Sequence, residues 1–398
     1  MGFFNGAFQY TSKPPQARVA QCGACKLYQT CQSPKMPVKG KGRRKLLLIG
    51  EFPSKQEDQQ NGSFLGEAGS ILIKTVTAID PDFDLELDLW RTNALICRPP
   101  KSRKPKDKEI AYCRPNVLAA IRKLNPIGII LLGQAAVRSV IGHLWREAPG
   151  SITRWAGWQI PHRRWDCWIL PTFHPAYLAR DHKNVGLRMW FEAHIAQALA
   201  IRSRPSETSP RDADLKVEKL YDRDDIERAV EQFIRQGSLV AFDYETNMLK
   251  PDSINSEIVS CSITDGKRVV AFPWIRGIQD VMSSFVQSSL PKVGANIKFE
   301  DRWTRAILKV PVCNWVWDTM QASHVLDNRS EISSVKFQAF VQLGVDPYDH
   351  HISPLLEASA PNEVNRIREI PIVDLLEYNG LDSLYEYQLA LLQRRRFA

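Results

Sequence analysis

The 398 residues are 44% hydrophobic and 24% charged, the balance of a soluble globular protein and enough chain for two domains that each bury a core. The longest apolar runs, Lys45 to Ile49 and Ile127 to Leu132, fall far short of the roughly 18 residues of a membrane span. The start of the chain has no secretory pattern and, with Gly6 at the critical place, no myristoylation site; a cytoplasmic protein, or one of the host cytoplasm if phage-encoded, is expected.

The net charge of +9 is unevenly spread: 31 basic residues face 15 acidic ones up to Pro205 (+16), and 22 face 29 thereafter (−7). The first part has the charge of a phosphate-backbone binder, because neutralising each phosphate releases counterions. The acidic second part needs cations if it is to handle DNA.

In chain order, Cys22-Gly-Ala-Cys25 comes first, followed much later by Cys97 and Cys113. In a cytosolic chain such cysteines point to metal ligands or buried apolar residues rather than to disulfides. Four thiolates at this spacing suit tetrahedral zinc or an iron–sulfur cluster. Strands are expected at Lys45–Ile49, Trp90–Ile96, Gly128–Leu132 and Trp168–Leu170, with helices between them, which is the pattern of a mostly parallel sheet. The tract Pro99 to Lys108, PPKSRKPKDK, reads as a basic loop, and Leu187 to Ala200 as a closing helix.

Besides the cysteine spacing, five motifs in this half appear in order: Gly50-Glu51-Phe52-Pro53-Ser54, Glu57-Asp58, Gly62-Ser-Phe64-Leu-Gly66, Thr92-Asn93 before Cys97, and Pro171-Thr-Phe-His174-Pro-Ala-Tyr-Leu-Ala-Arg180. Together they resemble the uracil-DNA glycosylase superfamily, most closely its iron–sulfur families. The resemblance spans about Gln21 to Ala200 and implies a three-layer α/β/α fold on a parallel sheet. It favours a [4Fe–4S] cluster on Cys22, Cys25, Cys97 and Cys113 over zinc. It also implies that Glu51 handles the catalytic water, Phe64 stacks on a flipped uracil, Asn93 reads its edge and His174 stabilises charge developing on uracil O2, while Arg180 and the lysines of the basic loop contact phosphate. Flipping costs a few kcal/mol. The family's Gly-Glu-small-Pro-Gly is departed from at Phe52, which is expected to crowd the pocket, and at Ser54, where a glycine turn is lost.

Ile201 to Leu215, with two prolines and several Ser and Thr, reads as a linker. The expected division is residues 1–203, a linker at 204–215, and a second domain at 216–398.

The second domain opens with a helix at Asp224–Gln236 and then strands Leu239–Phe242, Ile258–Ile263 and Arg268–Phe272 in quick succession, which predicts a mixed sheet. Asp243 and Glu245, at i and i+2 on a strand, point to one face and can share a metal. Gly294-Ala-Asn-Ile-Lys-Phe-Glu300-Asp301 follows, and then Tyr378 and Asp382, four apart on a helix and so on one face. In this order the segments resemble the DEDDy 3′→5′ exonucleases, particularly the proofreading domain of family A DNA polymerases. The resemblance covers about Lys216 to Ala398 and implies a ribonuclease H-like fold. Asp243, Glu245, Glu300 and Asp382 would hold two Mg²⁺ or Mn²⁺ ions, and Tyr378 would orient the attacking water. Where the family commonly has Asp, Glu300 stands with Asp301 beside it; Glu300 is the favoured ligand. Asp318 and Asp327 read as structural or as supports behind the metal ligands.

The combination predicts a DNA replication or repair enzyme that trims 3′ ends and excises uracil. An alternative makes the first domain a non-catalytic DNA clamp and the chain a proofreading accessory to a separate DNA polymerase; a third has the second domain trimming RNA. Such fusions resemble phage replication proteins.

Overall fold

The computed structural model describes residues 19–145, 148–181, 183–208, 216–360 and 363–397. They fall into two compact units. One runs to Pro210 and includes Gly344–Pro347, and the other comprises Arg211–Leu343 and Tyr348–Ala398. Most of the expected linker lies outside the described residues. Its first part, Arg204 and Ser206, is bonded to Asp166 of the first unit through the Arg204 guanidinium on the Asp166 carbonyl at 2.8 Å and the Ser206 hydroxyl on the Asp166 carboxylate at 2.7 Å.

The first unit is built on a five-stranded sheet of β1 (Leu46–Gly50), β2 (Leu89–Asn93), β3 (Gly128–Leu132), β4 (Ile160–His162) and β5 (Cys167–Thr172), ordered β2-β1-β3-β5-β4. Four strands run parallel and β4 pairs antiparallel with β5 at the edge. β1 and β3 are buried at every position, which is why both read as unbroken apolar runs. The strand expected at Trp90–Ile96 ends at Asn93. From there the chain leaves the ladder and carries Cys97 away from the sheet. Leu46, Leu48, Ile130 and Leu170 pack with helix residues Leu72, Phe191 and Ile195 in the main core.

The second unit has a six-stranded sheet of β6 (Val217–Lys219), β7 (Val240–Thr246), β8 (Ile258–Thr264), β9 (Val269–Pro273), β10 (Lys292–Gly294) and β11 (Trp315–Asp318), ordered β11-β10-β7-β8-β9-β6. β7, β8 and β9 form an antiparallel meander, while β10 pairs parallel with β7 and β11 parallel with β10. This is the ribonuclease H-like arrangement. The 26-residue helix Ile372–Phe397 packs across β7, β8 and β9. Its Gly380 is a close-approach position: a Cβ there would lie 2.8 Å from Val217 Cγ2. Among the described residues no helix is long and apolar enough to cross a membrane.

Candidate functional site

The second unit gathers the carboxylates the sequence singled out. β7 places Asp243 and Glu245 on one face, and helix Ile372–Phe397 brings Asp382 over them. One oxygen from each lies within 4.8 Å of the other two. These three, Glu300 and Tyr378 line one cleft of about 640 Å³. Glu300 is 3% exposed, while its neighbour Asp301 turns away, paired with Arg305 at 2.6 Å and accepting from the Val312 N–H at 3.0 Å. Glu300 stands outside the set of three that lie within 4.8 Å.

Asp318 N-caps helix Thr319–Leu326 through the N–H groups of Met320 and Gln321 at 2.9 and 3.1 Å, and also accepts from Asn296 and Ile297 at 3.1 Å. It thereby pins the turn that leads into the helix bearing Glu300, a structural role. Asp327 pairs with Arg329.

Burial pushes Asp243, Glu245 and Glu300 well above the usual carboxylate range, with the Asp382 charge adding to the shift on Asp243 and the Asp243 charge to those on Glu245 and Glu300. Burial raises Asp382 too, opposed by Lys336 and by hydrogen bonds from Tyr348 and Tyr378. Such crowding of acids is what a divalent cation relieves, and the all-oxygen donor set fits Mg²⁺ or Mn²⁺.

Four residues around the cleft escaped the sequence reading. Asn379 holds Asp243, Tyr348 donates its hydroxyl proton to Asp382 Oδ1, and Lys336 Nζ donates to the Tyr378 oxygen at 2.7 Å. Glu386 lines the cleft one turn beyond Asp382. Asn379 and Glu386 were within reach, since one adjoins Tyr378 and the other continues its spacing of four. Lys336 and Tyr348 lie in a segment whose pattern carries no such signal.

In the first unit the residues expected around uracil converge on the carboxyl ends of the parallel strands, the place where open α/β sheets bind ligands. Glu51 follows β1, Asn93 ends β2 and His174 follows β5. A Cβ on Gly50 would meet the Asn93 amide oxygen and come within 3.1 Å of the Phe64 ring. A Cβ on Gly133, itself at φ +89°, would come within 2.8 Å of Glu51 Oε1 and 2.9 Å of His174 Cβ. Only glycine fits there. Glu51 Oε1 accepts from the Ala135 N–H at 3.1 Å. Phe64 is buried in the left-handed region at φ +56°, held by its N–H to Glu57. His174 N-caps helix Pro175–Arg180, its Nδ1 accepting from the Ala176 N–H at 3.2 Å. Desolvation lowers its pKa against the pull of Glu51 and Glu57. Arg180 is exposed at the end of that helix.

The two departures from the family pattern have structural accounts. Phe52 packs against the cluster of Leu95, Ile110, Ala135 and Cys97. Ser54 forms a capping box with Glu57 at helix Lys55–Gln60, so a helix start replaces the glycine turn.

Cys22, Cys25, Cys97 and Cys113 line one apolar cavity with Leu27, Tyr28 and Leu95. Cys31 packs against the same cluster but does not line that cavity. Burial pushes the Cys97 thiol up to about 12. In the basic loop, Arg103 pairs with Glu109 at 2.9 and 2.5 Å. Lys101, Lys104, Lys106 and Lys108 stay exposed.

Residues 37–200 match the Uracil DNA glycosylase superfamily. A type-4 uracil-DNA glycosylase of Sulfurisphaera tokodaii is 31% identical over 163 residues, covering 40% of this chain and 71% of that protein. One of Thermotoga maritima is 30% identical over 172 residues, covering 42% and 82%. The chain belongs to the uracil-DNA glycosylase superfamily. Among solved structures, Brucella melitensis NrnC with bound Mg²⁺ aligns over 46% of this chain and 81% of that one, at 16% identity and a TM-score of 0.35.

Proposed function

We propose that the chain is a DNA-processing enzyme with two centres, a divalent-metal-dependent 3′→5′ exonuclease in the second unit and a uracil-excising glycosylase in the first. The observation that carries the exonuclease reading is the set of Asp243, Glu245 and Asp382 oxygens within 4.8 Å of one another, in one cleft with Glu300 and Tyr378. Two divalent ions held by these carboxylates would supply charge stabilisation for the attacking and leaving oxygens of phosphodiester hydrolysis. Tyr378, fixed through its oxygen by Lys336, positions the attacking water. The 3′→5′ polarity follows from the resemblance of this carboxylate–tyrosine set to the DEDDy enzymes.

For the glycosylase, the Ala176 N–H on Nδ1 of His174 sets the tautomer. A neutral ring that accepts at Nδ1 carries its proton on Nε2, a donor for the charge growing on uracil O2 as the glycosidic bond breaks. Asn93 supplies amide donors and acceptors for the base edge, Phe64 a ring to stack on it, and Glu51 a carboxylate for the water.

The four cysteines line one apolar cavity, and the likeness of this unit to the iron–sulfur glycosylase families favours a [4Fe–4S] cluster over zinc. The cluster would tie the N-terminal segment to the basic loop.

The test uses 5′-labelled DNA containing one uracil and anaerobically purified protein. Mg²⁺- or Mn²⁺-dependent shortening from the 3′ end, lost in Asp243→Ala, is expected, and its absence would sink the exonuclease reading. In EDTA, an alkali-sensitive site at the uracil is expected. An intact strand there would make the first unit a DNA clamp.

A further inference from the structure

The cleft of the second unit holds more buried acid than the four-carboxylate set. Tyr378, Asp382 and Glu386 follow one another at intervals of four on helix Ile372–Phe397 and so share a face. Glu386 is 3% exposed and lines the cleft with Asp243, Glu300 and Asp382. Its Oε2 and that of Glu300 are both buried without a hydrogen-bond partner. The charges that act on Glu386 are those of Asp243, Glu300, Asp382 and Asp318, all of its own sign.

A buried carboxylate oxygen with neither a donor nor a cation is a costly arrangement that native proteins rarely keep without a ligand. Among the described residues the only basic side chain lining the cleft is Lys336. It is bonded to Tyr378 at 2.7 Å and lies 3.6 Å from Asp349, and its charge bears on Asp382, Glu245 and Asp243. One cation on Asp243, Glu245 and Asp382 would leave Glu300 and Glu386 uncompensated, since neither belongs to the set within 4.8 Å. Asp243 has a second carboxylate oxygen and can serve two ions.

We infer that Glu386 is a fifth carboxylate ligand, which with Glu300 and Asp243 holds the second divalent ion of this cleft. The inference rests on the exonuclease reading and extends it. The ion is a hard divalent cation, Mg²⁺ or Mn²⁺, because every donor is a carboxylate oxygen. Glu300 and Glu386 reach it from two different helices, so this half of the site exists only when helix Ile372–Phe397 is docked on the sheet.

The competing account is that Glu386 is a neutral, protonated acid that merely packs. Glu386→Gln separates the two, because glutamine matches the shape of the protonated acid and lacks its charge. The full chain, stripped with EDTA and kept anaerobic, is titrated with Mn²⁺ by calorimetry and by the electron paramagnetic resonance signal of free Mn²⁺. Wild type is expected to bind two ions in the cleft and Asp243→Ala none. Glu386→Gln should keep the tighter ion and bind the second at least about tenfold more weakly, and Glu386→Asp should fall between. Metal-free Glu386→Gln should also melt above metal-free wild type and gain less from saturating Mn²⁺, since ligand binding stabilises only what it binds. Two ions bound to Glu386→Gln with wild-type affinities would overturn the inference and leave the exonuclease reading standing. A wild-type protein that binds no Mn²⁺ would overturn both.

Discussion

Asn379 Nδ2 donates a 2.7 Å hydrogen bond to Asp243 Oδ2, while Asn379 Oδ1 accepts from the Ser260 hydroxyl at 3.0 Å. The amide is fully buried and is held from both sides, by β7 and by β8. It ties the helix that supplies Tyr378 and Asp382 to the strand that supplies Asp243 and Glu245, so the two halves of the carboxylate set share one orientation. Residues that orient metal ligands are typically worth about 10–100-fold in metal affinity or activity. Asn379→Ala is expected to lower exonuclease kcat/KM within that range while glycosylase activity in EDTA stays at the wild-type level. Single-turnover assays of both activities on one preparation check this.

The raised carboxyls give a pH dependence with a definite sign. Asp243, Glu245, Glu300 and Asp382 have folded-state pKa values above their ordinary ones, so the folded unit binds more protons than the unfolded chain. Without metal, stability is therefore greatest below the ordinary carboxylate values of 3.8 and 4.5 as far as these groups are concerned, and falls as pH rises from there toward the folded values. Thermal melts of the EDTA-treated chain should show the second unit losing stability over that rise. Saturating Mg²⁺ should remove the trend.

The lowered pKa of His174 predicts the opposite limb for the glycosylase. The neutral, Nε2-protonated ring persists below the ordinary imidazole value of 6.5, so the acid limb of uracil release should lie under that value. His174→Ala should lower kcat by about 10²–10³-fold, the scale of a lost oxyanion donor, with a smaller effect on KM. A pH–rate profile of uracil release in EDTA tests both.

Gly380 sits where helix Ile372–Phe397 meets β6. Its missing Cβ avoids Val217, and overpacking of this kind costs about 1–3 kcal/mol. Gly380→Ala is expected to destabilise the second unit by that amount in denaturant melts, without changing the melting of the first unit.

The cysteine assignment separates Cys31 from the ligands. Cys97→Ser should abolish the visible absorption of anaerobically purified protein and lower the stability of the first unit, whereas Cys31→Ser should retain the absorption. Loss of absorption in Cys31→Ser would show that this thiol, which packs against the same cluster, belongs to the ligand set.

Much of this protein is written locally. The unbroken apolar runs of β1 and β3, the alternation that places Asp243 and Glu245 on one face, and the spacing of four from Tyr378 to Asp382 are short-range regularities with direct geometric meaning, and the cysteine spacing and the His174 segment carry the first unit's family. The tertiary structure decided what depends on which surfaces meet. It buried Glu300 and turned Asp301 to Arg305, because only one side of helix Lys298–Ile307 faces the cleft. It sent Phe52 to the cysteines, engaged Arg103 with Glu109, and ended β2 at Asn93 so that Cys97 could leave the sheet. It also brought Lys336, Tyr348 and Glu386 into the carboxylate cleft. No local pattern encodes those encounters, since each depends on burial, charge and packing between segments far apart in the chain.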